Sequence, residues 1–381
     1  MSLVAEPAVP AAALAAIRKP FEAFGGDWID APTLLPLNVV LDLTGEAMRS
    51  RLLVVQAEGA EDSVLRPDFT IPAARAHIAA GAEGGRYLYE GSAFVAPRGP
   101  GRPAEFRQIG AEVYGAARDE AAEDAAVAAL AWAAASAGGR GDLSMMLGDV
   151  GLFAAFLAAV DIPEAAAARL VRAFADGRPI EAELARAQDP GTEAGAGSSR
   201  LAGLLTDLPE AEAAAVLEEL WRLAGIQPVG GRGPAEIVHR LMVRSEVRRG
   251  APLTAAEADL IGRYLAISAP VREALDQVER LAYEAKVEFD LQLRVWVERL
   301  KALVEAGVAE SAMTLATGFA RPFGYYDGML FEVRSRAFGP DRPVAAGGRY
   351  DSLLSRLGAE EGSGAVGCMV RPGRAWTGAA A

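Results

Sequence analysis

The stretch from Gly85 to Gly115 constrains this chain more than any other. Gly85-Arg-Tyr-Leu-Tyr-Glu-Gly-Ser-Ala-Phe-Val95 leads into a Pro/Gly/Arg-rich loop, and Glu105-Phe-Arg-Gln-Ile-Gly-Ala-Glu-Val-Tyr-Gly115 follows it. Two alternating runs around a turn-rich segment predict a β-hairpin. Strand side chains point to alternate faces, so Ile109, Ala111 and Val113 share one face. Phe106, Gln108, Gly110, Glu112 and Tyr114 share the other. A glutamine and a carboxylate flanking a glycine make a poor core face and a good floor for a cationic or amine-bearing ligand. Gly110 would let such a ligand approach the backbone. The plainer alternative is a half-exposed sheet face.

The 381 residues suffice for two or three domains, and a 51% apolar content makes the chain globular. A net charge of -13 repels phosphodiester backbones, which argues against nucleic acid as a partner. The one cysteine, Cys368, excludes an internal disulfide and suits a reducing cytoplasm; its Ala-Val-Gly-Cys-Met-Val setting is that of a small core residue. Two histidines, His77 and His239, leave no His-rich metal site. The N-terminus lacks the basic start of a signal peptide, and the most apolar run, Ala125 to Ala137, is too short to span a bilayer. No membrane association is expected.

Residues 11 to 26 predict a helix stopped by Gly25-Gly26, with Leu14, Ile17, Phe21 and Phe24 on its buried side. Asp119, Glu120, Glu123 and Asp124 crowd the start of an alanine-rich helix, where acids favour the macrodipole, so this cluster reads as structural. Leu143 to Leu147 predicts a strand. From Leu152 to Leu265 the pattern is helical, punctuated at Gly191 to Ser199, read as a surface loop, and at Gly230 to Gly233. Thr254 and Glu257 have capping-box spacing. Another helix runs from Pro270 to Lys286, burying Leu275, Val278, Leu281 and Ala282. The next segment is divided: Val287, Phe289, Leu291 and Leu293 alternate, while Val295 to Leu303 suits a helix.

Several blocks carry a resemblance to class II aminoacyl-tRNA synthetases, and to histidyl-tRNA synthetase in particular. The loop Ala96-Pro-Arg-Gly-Pro-Gly-Arg-Pro103 resembles their motif 2 loop, and Asp27 to Leu34 resembles motif 1, with Pro32 at the dimer seam. Leu65-Arg-Pro-Asp-Phe-Thr70 resembles Leu-Arg-Pro-Glu-Gly-Thr, whose acid and threonine hold the α-amino group of histidine. Thr317 to Glu332 resembles the Arg-Gly-Leu-Asp-Tyr-Tyr signature, keeping Arg321, Tyr325 and Tyr326 and departing at Pro322 and Gly324. Ala345-Ala-Gly-Gly-Arg-Tyr-Asp-Ser-Leu353 is nearly identical to a second histidine signature: its glycine pair would admit a ligand to the backbone, and Tyr350 would wall the imidazole pocket. Gly364 to Arg374 stands at the place of motif 3.

The departures are as informative. The enzymes place an arginine on the α-phosphate of ATP where this chain has Val95, and valine cannot neutralise a phosphate. Arg371-Pro-Gly-Arg374 replaces Gly-Leu-Glu-Arg, and Pro372 alters the start of the motif 3 helix. Phe69 replaces a glycine, and Asp68 is one methylene shorter than glutamate; an N-cap is the alternative role for Asp68.

This pattern resembles the regulatory subunits of ATP phosphoribosyltransferase, paralogues of histidyl-tRNA synthetase. The resemblance implies an α+β fold, with a class II synthetase-like antiparallel sheet flanked by helices. Residues 1–150 and 266–381 would form the core, and residues 151–265 a helical insertion; no anticodon-binding domain is expected. It further implies a non-catalytic cytoplasmic chain with no cofactor and no metal. Such a chain forms a homodimer, joins a short catalytic subunit in a hetero-octamer, and mediates feedback by free histidine. The histidine-binding residues carried over are Asp68, Thr70, Gln108, Glu112, Arg321, Tyr325, Tyr326 and Tyr350. Acids would face the ammonium or imidazole and the arginine the carboxylate. A truncated, adenylate-forming enzyme is the alternative, and Val95 speaks against it.

Overall fold

The computed structural model describes residues 6, 8–56, 58–59, 61–97, 102–115, 119–188, 208–224, 238, 252–321, 324–359 and 363–378. The expectations for Arg98, Gly191 to Ser199, Gly230 to Gly233, His239 and Pro322 lie outside these residues.

Helix α1 (Ala11–Phe24) buries Ile17 and Phe21 and ends at Gly25, whose N–H returns to the Phe21 carbonyl and whose φ of 78° suits a glycine. Strand β1 (Asp27–Trp28) then pairs in parallel with β5 (Gly85–Phe94), the first arm of the hairpin. The strands β2 (Leu34–Pro36), β3 (Val54–Val55) and β4 (Ser63–Leu65) form a separate small sheet in the order β2-β4-β3. Between them lies α2 (Leu37–Thr44); α3 (Thr70–Ala80) follows β4.

The hairpin forms as the alternation requires. Strand β6 (Glu105–Tyr114) runs antiparallel to β5, in register from Gly85 opposite Tyr114 to Phe94 opposite Glu105. The central sheet is completed by β7 (Leu143–Asp149), β8 (Ser268–Pro270), β9 (Met313–Ala316), β10 (Met329–Ser335), β11 (Ala345–Arg349) and β12 (Ala365–Val370). Its order is β1-β5-β6-β12-β11-β10-β7-β9-β8. The sheet is antiparallel through its middle, and the ladders β1–β5 and β7–β9 are parallel. Ile109, Ala111 and Val113 join the main core, together with Val127, Leu130 and Ala131 of α4 (Glu120–Ala137).

Helices α5 (Val150–Ala159), α6 (Glu164–Ala175), α7 (Ile180–Gln188), α8 (Glu210–Ala224) and α9 (Ala255–Leu265) come next. Phe153, Phe156, Phe174 and Tyr264 belong to the same apolar core as the sheet, whereas Ala213, Leu217 and Val238 form a small cluster of their own. The capping box forms: Thr254 Oγ1 accepts from the Glu257 N–H and the Glu257 carboxylate accepts from the Thr254 N–H. Helix α10 (Val271–Ala285) buries Leu275, Val278, Leu281 and Ala282, the stripe that the spacing marks.

The divided segment is helical, as α11 (Asp290–Glu305). Leu293, Trp296, Leu300 and Leu303 recur at helical spacing and are buried, while Leu291, part of the apparent alternation, is 64% exposed. The short helices α12 (Ser352–Arg356) and α13 (Pro372–Ala375) flank β12. Pro372 does not disrupt α13. It occupies the first turn, where a helix needs no N–H donor and a fixed φ is favourable.

The acids at the start of α4 divide their work. Asp119 caps the helix by accepting from the Ala122 N–H at 3.0 Å. Asp124 is fully buried between Arg299 of α11 and Arg349 at the end of β11, each within 2.8 Å. Arg349 also reaches Glu123 and Asp351 at 3.0 Å each. A buried carboxylate tolerates this depth only with its charge matched.

Candidate functional site

A cavity of about 480 Å³ opens over the polar face of β6. All eight residues singled out in the sequence line it: Asp68 and Thr70 from the start of α3, Gln108 and Glu112 from β6, Arg321, Tyr325 and Tyr326 from the segment before β10, and Tyr350 after β11. Each is buried. They are separated by up to 282 positions in the chain, from 68 to 350, and only the strand order brings them together.

Glu112 is the centre of the arrangement. Its carboxylate accepts from the Thr70 hydroxyl at 3.0 Å, the Tyr89 hydroxyl at 3.2 Å and the Tyr350 hydroxyl. Burial pushes its pKa up to about 8, and the nearby Asp68 charge adds to the rise; the three hydroxyls pull the other way. Burial, then the Glu112 charge, hold Tyr89 and Tyr350 well above the ordinary phenol range, so both remain donors.

Asp68 is not the N-cap of α3, a position taken by Phe69 without a side-chain cap, but lies one residue before it. Its Oδ1 accepts from the Thr70 N–H at 3.2 Å in the first turn of α3, and its Oδ2 accepts from the Tyr325 hydroxyl at 3.4 Å. Burial raises it to about 6, countered by those hydrogen bonds and by Arg321. Arg321 donates to the Tyr326 hydroxyl at 3.0 Å and lies 3.3 Å from Glu332. Burial disfavours its charge, yet Tyr326 and Glu332 outweigh burial and hold its pKa above the ordinary value. The ion pair is therefore a buried one. Gln108 Oε1 is buried with no hydrogen-bond partner among the described residues.

The glycines serve the protein more than a ligand. A Cβ on Gly110 would run into the Tyr89 hydroxyl and the Cys368 carbonyl, so Tyr89 fills the space that the sequence assigned to a ligand. A Cβ on Gly347 would meet the Gly367 carbonyl, and one on Gly348 the Met329 carbonyl at 2.6 Å; neighbouring strands, not a ligand, approach that pair. A Cβ on Gly367 would sit on the Glu112 carboxylate and 2.7 Å from the Tyr350 hydroxyl. Gly367, directly opposite Glu112 in the β6–β12 ladder, is what admits the buried carboxylate.

Sequence reasoning missed Tyr89, which stacks on Phe69 with ring centroids 4.5 Å apart and 3° between planes. Its signal is an aromatic opposite a glycine, Tyr89 against Gly110, legible only once the register is known. Arg66 lies over the other member of the stack, 4.1 Å from the Phe69 ring centre, which gives Phe69 a packing role where the synthetase pattern has glycine. Cys368 is buried, with its thiol lifted far above the reactive range by burial first and Glu112 second. Val95 lines the cavity, packed against Phe69, Tyr89 and Phe106. Among the described residues no group of histidine, cysteine and acidic side chains can hold a metal ion, and no helix is long and apolar enough to cross a membrane.

The histidyl-tRNA synthetase family profile matches residues 5–229 and 242–372. The ATP phosphoribosyltransferase regulatory subunit of Brucella anthropi is 34% identical over 361 residues, covering 93% of each chain. That of Brucella canis is 34% identical over 362 residues, covering 93% of this chain and 94% of its own. The chain belongs to the ATP phosphoribosyltransferase regulatory subunit family. Solved structures agree on the fold. A Bacillus halodurans protein described as an ATP phosphoribosyltransferase regulatory subunit/histidyl-tRNA synthetase superposes with a TM-score of 0.64 at 19% identity, covering 100% of this chain and 83% of that one. A histidyl-tRNA synthetase from Nostoc gives 0.60 at 16% identity, over 95% and 69%. The regulatory-subunit fold here is thus α+β and histidyl-tRNA synthetase-like.

Proposed function

We propose that this regulatory subunit is itself non-catalytic, binds a separate short catalytic subunit of ATP phosphoribosyltransferase, and takes free histidine in the cavity over β6. The convergence of three buried acceptors, Asp68, Gln108 Oε1 and Glu112, on a space also lined by Arg321 carries this reading. Acceptors at one side suit an α-ammonium or an imidazole N–H, and a guanidinium suits a carboxylate. A contact between an ammonium and the Asp68 carboxylate, the more acidic of the two acids, contributes roughly 1.5–3 kcal/mol in so dry a site. Tyr325, Tyr326 and Tyr350, edge to face around the space, suit a planar ring.

Feedback then requires histidine to favour one arrangement of the assembly, since equal affinity for two states shifts neither. A second copy of the chain would cover the edges where Trp28, Leu34, Val54 and Val55 lie exposed, on β1, β2 and β3. Such dimers would enter a cytoplasmic hetero-octamer with the catalytic subunit. Adenylate formation is disfavoured by Val95, an apolar group where phosphate transfer requires a cation.

Calorimetry of the chain alone with histidine, beside a Glu112→Ala variant, tests the pocket. Heat from the wild type that vanishes in the variant, together with lost feedback in the mixed assembly, supports it. No heat from the chain alone, with feedback intact in the variant assembly, refutes it and moves histidine to the subunit interface. Robust histidine-dependent ATP–pyrophosphate exchange by the purified chain would refute the non-catalytic assignment.

A further inference from the structure

Gly324 stands directly before Tyr325 and Tyr326, two of the side chains that line the cavity. The synthetase signature has an aspartate at this position, and this chain has no side chain there. The structure shows what the missing side chain makes room for. A Cβ on Gly324 would run into Asp176 Oδ1, and it would come within 3.8 Å of the Thr44 carbonyl at the end of α2. Glycine thus permits a close approach. The acid absent from position 324 is met by an acid 148 positions earlier in the chain.

Asp176 closes α6, in the stretch that the sequence reads as a helical insertion. The turn that holds it is locally determined. The Gly177 N–H returns to the Phe174 carbonyl and the Arg178 N–H to the Ala173 carbonyl, each at 2.9 Å, and Gly177 takes the left-handed φ of 64° that this ending requires. Phe174 and Ala173 are buried, which anchors the turn. For its own helix the acid is badly placed, because the C-terminal end of the macrodipole is negative. Burial raises its pKa, and the charges of Arg178, Arg172 and Arg356 oppose the rise. Arg178 Nε lies 3.3 Å from Oδ2, while Oδ1 is the oxygen against Gly324. Arg356, at the end of α12, grips the same glycine: its Nη1 donates to the Gly324 carbonyl at 3.4 Å, and its Nη2 donates to the Asp42 carbonyl of α2.

We propose that Asp176 is a positioning residue of the cavity: it supplies, from the end of α6, the acid that the signature carries before its two tyrosines, and together with Arg356 it fixes the backbone at Gly324. The two residues that follow depend on that backbone. Tyr325 donates to Asp68 Oδ2 at 3.4 Å, and Tyr326 accepts from Arg321 at 3.0 Å. A displacement at Gly324 is passed to both within one or two peptide bonds, and a binding site tolerates little looseness in the groups behind its lining. Helix α6 touches no ligand by this route, yet its end sets where two walls of the cavity stand. The inference rests on the histidine reading for what the cavity binds, and on geometry alone for what holds Gly324.

Histidine calorimetry and amide hydrogen exchange over Gly324 to Gly328, both on the full chain, test it with Asp176→Ala, Gly324→Asp and the double variant Asp176→Ala/Gly324→Asp. Asp176→Ala should weaken histidine binding by about fivefold or more and speed exchange by a similar factor. Gly324→Asp sets one carboxylate against another and should weaken binding by about tenfold or more. The double variant restores one acid without the collision and should return both readouts to within about twofold of wild type, a rescue that general destabilisation would not give. Thermal denaturation checks that each protein is folded. Histidine binding by the wild type with unchanged affinity in Asp176→Ala overturns the proposal and leaves the pocket reading standing, as does a double variant no better than Gly324→Asp. No heat from the wild type refutes the histidine reading instead, and exchange then decides: faster in Asp176→Ala and restored in the double variant supports the positioning role, and unchanged exchange overturns it.

Discussion

Replacing Glu112 by glutamine asks whether the pocket holds this carboxyl neutral. In the folded chain its pKa is pushed up to about 8 from 4.5, with burial overcoming three hydroxyl donors. A folded pKa above the unfolded value means that the folded state binds the proton more tightly. The resulting stabilisation is fully present below the unfolded value of 4.5 and is lost as the pH rises through 8. Each pH unit inside that window is worth about 1.4 kcal/mol. Raising the pH from about 5.5 to about 8.5 therefore removes roughly 3 kcal/mol through this one group. Glutamine keeps the size and the hydrogen-bonding capacity and does not titrate. Asp68 and Asp124, both raised to about 6, titrate in both proteins and largely cancel in the difference. Urea unfolding across this range should give a wild-type stability that falls relative to the variant by that amount. Parallel profiles would refute the argument, because they would mean that Glu112 is ionised throughout.

Gly367→Ala places a methyl group on the Glu112 carboxylate, so it should cost at least about 1–3 kcal/mol in urea unfolding and abolish histidine binding; an unperturbed variant would refute the clearance role. Arg349→Met strands part of the Asp124 charge and should destabilise the fold by about 3–5 kcal/mol, read as a shift in the urea midpoint, with a loss under 1 kcal/mol arguing against the network. Leu34→Asp on the exposed edge of β2 should yield monomers in sedimentation velocity; persistence of the wild-type mass would remove that edge from the dimer seam.

The face of β6 that carries Gln108 and Glu112 was legible because strand alternation is local: it needs no partner to decide which residues share a side. Asp68, Arg321 and the tyrosines were legible from motif chemistry, and the cavity does gather them. The segment from Val287 to Leu303 stayed divided in the sequence because Val287 to Leu293 alternate while Val295 to Leu303 suit a helix, and burial of Trp296 and Leu300 in the core decided for the helix from Asp290. The glycines were misread for a related reason. Sequence marks where a side chain is missing, but what fills the space depends on the opposite strand.

Alternation and capping are properties of neighbouring residues and their chemistry, so the chain alone determined them, whereas the place of Val95 was read from the resemblance to the synthetases. The raised pKa of Glu112, the pairing of Asp124 with Arg299 and Arg349, and the seating of Glu6 beside Arg371 and Arg374 were decided by tertiary structure. Each depends on desolvation and on groups distant in the chain, Asp68 and Tyr350 for Glu112 and arginines more than a hundred positions away for Asp124 and Glu6, and none of these exists until the sheet has closed over them.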